Sequence, residues 1–318
     1  MTDGWPEPMK EGTVSVTGYP MYYRICGPRD ARETVLCMHG GPGGTHDYLQ
    51  PIADLSRDGY RVVFYDQLGC GRSARITDTS LFTLEHNVLE VEELRRTLDL
   101  GRIHLFGSSY GGTLALAYTL AHPEAVRTLT TAGGVADIPF ATEEMRRWIS
   151  ELPPPVQAVL HRGQETGQFD TPEYEAAMME FYRRHVCRLW PWPPPVTYTL
   201  DNLSRPVYLY MNGPNEFTIV GTIKDLRFVD RLGAIRAPTL VTGGRYDEVS
   251  PRVAEQIARA IPGAELEIFA QSSHMPFWEE RTMYLSRFRR FLAAHRETDP
   301  AVGNPARPPG PSTNHRPI

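Results

Sequence analysis

The sequence predicts an α/β protein, a mostly parallel sheet with helices on both faces and an inserted helical cap. Three observations predict it. Apolar runs, mostly β-branched or aliphatic and without strict alternation, recur along the chain, as strands buried on both faces require. Helical periodicity separates several of these runs, the pattern of a doubly wound sheet. The alternation then stops after Gly133-Gly134 and resumes only near Ile235, with helical patterns between.

The elements follow in order. Residues 13–16 and 21–26 form an antiparallel hairpin at the sheet edge, and strands are expected at 34–38, 60–65, 103–106, 129–132, 238–242 and 266–269. Before the third of these strands, Val88, Val91, Leu94 and Leu98 fall on one helical face. Within the insertion, 142–152 and 171–189 are expected to be helical, the latter with Tyr174, Ala177, Met178, Phe181, His185 and Leu189 at i, i+3, i+4 spacing. The turn Leu189-Trp190-Pro191-Trp192-Pro193-Pro194-Pro195 is read as packing for the cap. The core therefore spans 1–134 and 226–296, the cap 135–225, and a Pro-rich disordered tail 297–318.

Chemistry concentrates where strand 103–106 ends. Gly107-Ser108-Ser109-Tyr110-Gly111 lies between that strand and the small-residue run Gly112-Thr113-Leu114-Ala115-Leu116-Ala117-Tyr118, the strand-turn-helix context of a nucleophile elbow. Glycines two before and two after Ser109 let strand and helix approach. A serine nucleophile needs a base, an orienting acid and N–H donors facing the oxyanion. In α/β-hydrolases the order is serine, acid, histidine, with each partner in a loop after a late strand. Asp247 follows strand 238–242 and His274 follows strand 266–269. Among the ten histidines, His39 precedes the elbow, His161 and His185 lie in the cap, His295 ends a helix and His315 is in the tail, so His274 alone holds the expected place. Ser109 is thus read as nucleophile, His274 as general base then acid, and Asp247 as its orienting partner.

Upstream, strand 34–38 ends in His39-Gly40-Gly41-Pro42-Gly43-Gly44. The Lys-Ser or Lys-Thr pair of a phosphate-binding loop is missing, so the glycines read as an oxyanion loop. The N–H of Gly41 and that of Tyr110, the residue after the nucleophile, are the expected donors. Asp66-Gln67-Leu68-Gly69-Cys70-Gly71-Arg72-Ser73 is read as a structural turn with an internal Asp66 to Arg72 pair, outside the site.

Composition narrows the partners. With 33 basic and 38 acidic residues the formal charge is -5, and no basic block interleaved with aromatics points to nucleic acid. No membrane span and no secretion signal stand out, so a cytoplasmic protein is expected, with the Asn202-Leu203-Ser204 sequon silent. Cys26, Cys37, Cys70 and Cys187 show no paired spacing and read as reduced thiols rather than disulfides or zinc ligands. Neither metal nor organic cofactor is expected.

Taken together, His39-Gly40-Gly41-Pro42-Gly43, Tyr65-Asp66-Gln67-x-Gly69-Cys70-Gly71-Arg72-Ser73, the elbow and Tyr246-Asp247-Glu248-Val249 resemble the proline iminopeptidase family of α/β-hydrolases. The cap stretch Met211-Asn212-Gly213-Pro214-Asn215-Glu216-Phe217 resembles the subgroup of the tricorn-interacting aminopeptidase and some L-amino-acid amide hydrolases. The resemblance covers about residues 10–295. It implies that Glu216 and Glu248 anchor the free amino group of the substrate, small peptides or amino-acid amides. A free amino terminus, with a pKa of about 7.7 to 8.0, can bind two carboxylates as an ammonium. The expected activity is a serine aminopeptidase releasing an N-terminal residue, proline by the family's preference, through an acyl-enzyme. An L-amino-acid amidase or pathway-specific tailoring hydrolase is the alternative, and a non-catalytic binding protein of the same fold the remoter one.

Overall fold

The computed structural model describes residues 6–296; the tail expected over 297–318 lies outside the described residues. Its centre is one sheet of eight strands, β1 (Lys10–Val16), β2 (Tyr19–Cys26), β3 (Thr34–Met38), β4 (Arg61–Tyr65), β5 (Ile103–Ser108), β6 (Val126–Ala132), β7 (Thr239–Gly244) and β8 (Glu265–Phe269). The strand order is β1-β2-β4-β3-β5-β6-β7-β8. The expected hairpin is present: β1 pairs antiparallel with β2, Val16 facing Tyr19 across Thr17 and Gly18, whose positive φ of 48° and 85° suits a two-residue hairpin turn. β2 also runs antiparallel to β4, and every later pairing is parallel.

Both faces of the parallel part are covered, which explains strands that are apolar without alternation. On β3, Leu36 and Met38 enter one core with α1 (Leu84–Thr97), α2 (Tyr110–Ala121) and α8 (Pro251–Ala260), through Val91, Leu94, Leu114, Val253 and Ile257. Val35 and Cys37 enter the other, against the 3-10 segment His46–Asp58 and α10 (Arg281–Ala294), through Leu49, Ile52, Phe288 and Leu292. A short helix, α9 (Pro276–Glu279), precedes α10.

Five helices lie between β6 and β7: α3 (Ile138–Ser150), α4 (Pro154–Thr166), α5 (Pro172–His185), α6 (Pro194–Asp201) and α7 (Arg205–Met211). The chain leaves and re-enters the core side by side, with Asp137 bridged to Arg227 and the Ile138 N–H donating to Leu226 O at 2.9 Å. Two corrections concern this insertion. α5 ends at His185, not Leu189, because the carbonyl of His185 is taken by groups of the core described below. α4, α6 and α7 were not expected; each has proline in its first turn, where its missing N–H costs no helical hydrogen bond. In the Trp-Pro turn Trp192 packs, its Nε1 donating to Cys187 O at 2.9 Å, while Trp190 is exposed and Pro194 and Pro195 line a cavity.

The Asp66 turn holds the expected Asp66 to Arg72 pair, at 3.9 Å, within a wider set of contacts. Fully buried Asp66 accepts the Arg72 and His46 backbone N–H groups at 2.8 and 2.9 Å, while the Arg72 guanidinium forks onto Asp47 at 3.1 Å twice. Cys26, Cys37, Cys70 and Cys187 are all unpaired and buried, and no helix among the described residues is long and apolar enough to cross a membrane.

Candidate active site

The elbow forms where β5 meets α2. Ser109 has φ 58° and ψ -127°, a left-handed conformation rare for a residue with a side chain and held by its surroundings. Its N–H donates to Ala132 O at 2.8 Å, and its carbonyl accepts the N–H groups of Gly112 and Thr113 at 2.8 and 3.2 Å. The flanking glycines are sterically required. A Cβ on Gly107 would strike the Gly111 carbonyl, and one on Gly111 would strike the Met38 carbonyl.

Tyr110, first residue of α2, has one of the N–H groups that a helix start leaves without an internal acceptor. Its phenol is anchored behind the elbow: Oη donates to Asn87 Oδ1 at 2.7 Å, and Asn87 Nδ2 donates to Glu90 Oε1 at 3.1 Å. Burial of Glu90 pushes its carboxyl up to about 8. The glycine loop after β3 is tied to the elbow by Tyr48. Gly40 N–H donates to Tyr48 Oη at 2.8 Å, and that hydroxyl donates to Ser108 O at 3.4 Å. Gly41 and Ser109 consequently line the same cavity.

His274 and Asp247 meet as expected. Nδ1 of His274 lies 2.7 Å from Asp247 Oδ1, which also accepts the Val249 N–H at 2.8 Å, so Asp247 fixes both the ring and its own loop. The histidine loop is held from below by α9 and the residue after it: Glu279 accepts the N–H and hydroxyl of Ser273 at 2.7 and 2.8 Å, and Glu280 accepts the Ser272 hydroxyl at 2.7 Å. Nε2 of His274 is buried without a hydrogen bond, none reaching Ser109; its nearest carboxylate oxygen is Glu248 Oε1, at 3.7 Å. Free enzymes often hold such a pair apart until substrate arrives. Burial opposes a charge on His274, but Asp247, Glu248 and Glu216 more than offset it and push the imidazole up to about 10.

Sequence reasoning did not find His185. At the end of α5 its carbonyl accepts two N–H groups, from Glu248 at 3.0 Å and from His274 at 3.2 Å, while its Nδ1 donates to Tyr246 O at 2.8 Å. The ring packs 4.7 Å from Trp148 and 4.9 Å from Phe181, and burial lowers its pKa to about 4, leaving it neutral near pH 7. The insertion therefore holds both late loops directly. A histidine at a helix end with no place in the triad order was the available signal.

Two cavities meet at Ser109. The larger, about 240 Å³, is lined by Ser109, His274, Glu216 and Glu248 and otherwise by mostly apolar groups such as Tyr182, Val186, Val196 and Met275. The smaller, about 40 Å³, shares Ser109, Glu216 and Glu248 and is closed by Val135, Ile138, Met145, Ile219 and Ile223. Both carboxyls thus border both spaces. Burial raises the Glu216 pKa, while burial and the neighbouring Glu216 charge raise that of Glu248 well above the usual range. Oε2 of Glu248 is buried with no hydrogen-bond partner, an arrangement that costs stability unless a donor arrives. Among the described residues no group of three or more His, Cys, Asp and Glu side chains could hold a metal ion.

The α/β hydrolase fold family matches residues 33–281 of this chain. A proline iminopeptidase of Saccharolobus solfataricus is 44% identical over 291 residues, which cover 91% of this chain and 94% of that one. The solved structure of VinJ superposes with a TM-score of 0.88 at 35% identity, covering 91% of this chain and 100% of VinJ. A proline iminopeptidase of Mycobacterium smegmatis superposes with a TM-score of 0.84 at 32% identity, over 90% of this chain and 98% of the other. Fold, strand order and relatives agree, and the chain belongs to the proline iminopeptidase family of α/β-hydrolases.

Proposed function

We propose that this protein is a serine aminopeptidase that releases the first residue of small peptides or amino-acid amides, with proline favoured. The observation that carries this reading is the unpartnered carboxylate oxygen of Glu248, buried beside Glu216 at the junction of the two cavities. An ammonium donates to several acceptors at once and offsets the charge by which Glu216 raises the pKa of Glu248. Its carbon skeleton then has two exits. The small apolar cavity accepts a short or cyclic aliphatic side chain, and the larger one accepts the leaving group.

In this reading Ser109 attacks the first carbonyl as His274 Nε2 takes its proton, and the N–H groups of Gly41 and Tyr110 receive the developing oxyanion. Asp247 holds the imidazole through Nδ1 and stabilises its charged form. The protonated His274 then gives its proton to the departing amine, and water, activated by the same base, releases the acyl group from Ser109. Fixing the ammonium one residue from the scissile bond supplies the orientation that makes cleavage exopeptidic. Four buried free thiols support a reducing compartment, the cytoplasm, as the place of action.

A panel of free-amine aminoacyl arylamides tests the assignment: kcat/KM should be highest for proline, remain measurable for alanine and fall steeply for phenylalanine, which the small cavity cannot hold. Preference for phenylalanine would contradict it. The pH dependence gives a second expectation. His274 must be neutral to act as base, and in the free enzyme the surrounding carboxylates hold its proton. A bound ammonium offsets those charges, so the pKa of His274 falls in the complex. The acid limb of kcat should therefore lie at lower pH than that of kcat/KM, whereas coincident limbs would show that the amine does not reach the carboxylates.

A further inference from the structure

Besides His274 and the carboxyls at its inner end, the larger cavity is lined by one further cationic residue, Arg205. Arg205, Tyr208 and Leu209 all line it, at the i, i+3, i+4 spacing of one helical face on α7. Tyr208 marks the acidic end, since its phenol lies against Glu216 and its pKa is raised by burial and then by that carboxylate. Arg205 sits three residues back, about 4.5 Å along the helix axis, and its side chain adds its own reach. It is exposed and has no acidic partner among the described residues. By contrast, Arg252 of the core and Arg147 of the insertion both pair with Glu144, at 2.7 and 3.1 Å. The same cavity is also lined by Val196, Leu200 and Leu203.

We propose that Arg205 binds the C-terminal carboxylate of the leaving residue, making the preferred substrate a dipeptide with both termini free. The proposal rests on the aminopeptidase reading above and adds a second anchor to it. A dipeptide places its amine and carboxylate about 7 Å apart when extended, a separation that an acidic inner end and a cation one helical turn away can match. Guanidinium is suited to this partner, because its fork of N–H donors fits a carboxylate bidentately. A longer peptide places an amide where the carboxylate belongs and leaves Arg205 with solvent.

The test compares prolyl-leucine, its C-terminal amide and proline p-nitroanilide. The intact enzyme should prefer the free acid over the amide by roughly fivefold in kcat/KM, mainly through KM, and the preference should shrink as salt rises from low ionic strength. Arg205→Gln should abolish the preference while changing kcat/KM for the amide and the anilide less than twofold; Arg205→Lys should keep part of it. Equal rates for acid and amide in the intact enzyme, or equal losses on all three substrates in Arg205→Gln, would overturn the proposal while leaving the aminopeptidase reading in place. Failure of the enzyme to cleave any of the three would overturn both.

Discussion

Ser109→Ala should lower kcat on proline p-nitroanilide by about 10⁴ to 10⁶-fold and leave the melting temperature nearly unchanged. A triad acts as a unit, so loss of its nucleophile removes nearly the whole covalent route and leaves only binding and oxyanion stabilisation. The fold should tolerate the change, because Ser109 contributes to the elbow through its backbone N–H and carbonyl, and alanine retains both. Kinetics and a thermal melt of one preparation check both halves. A variant with tenfold-reduced turnover would point to a different nucleophile, and one that fails to fold would mean that the hydroxyl supports the strained turn.

Glu248→Gln should lower kcat/KM on free-amine substrates by about a hundredfold or more, roughly 2.7 kcal/mol of transition-state binding. Glutamine keeps the shape and one acceptor but removes the charge, leaving Glu216 to hold the ammonium alone. The same substitution should raise stability slightly in the absence of substrate, because it removes a buried carboxyl whose pKa is raised by burial and by the neighbouring Glu216 charge. Loss of activity together with a preserved or raised melting temperature is the signature of a binding group rather than a structural one. An amine-free ester, such as a p-nitrophenyl ester of a small acid, supplies the control: its cleavage should hold or rise, because loss of the Glu248 charge lowers the pKa of His274. A comparable loss on that ester would assign Glu248 to the chemistry of the triad instead.

The parts of the site legible in sequence were those where chemistry imposes both a residue type and a place in the chain. Gly107 and Gly111 have no room for a Cβ, so the elbow leaves a local signature. Asp247 and His274 are fixed by order after late strands, and the structure brings them to 2.7 Å. Tyr48 and the Asn87–Glu90 pair gave no such signal, since the hydrogen bonds by which they reach the elbow cross 60 and 23 residues of chain. His185 works mainly through its carbonyl, which any residue supplies, so its spacing showed only a helix face. In the fold, parallel strands were legible because burial on both faces makes them continuous apolar runs. β3 keeps its expected bounds, while the ends of the others shifted by one or more residues, as β6 shows by starting at Val126. Three helices of the insertion carry prolines, Pro154, Pro194 and Pro206, in their first turns, and Pro194 lies in the stretch read as a turn.

The central claim is that Glu216 and Glu248 recognise a free amine and so set the cleavage one residue from it. The most direct measurement is the ratio of kcat/KM for proline p-nitroanilide to that for its N-acetyl derivative, in the intact enzyme and in Glu248→Gln. The account predicts a ratio of at least a hundredfold in the intact enzyme that collapses by most of that factor in the variant. A ratio near one in the intact enzyme, or one that survives the substitution unchanged, would contradict it.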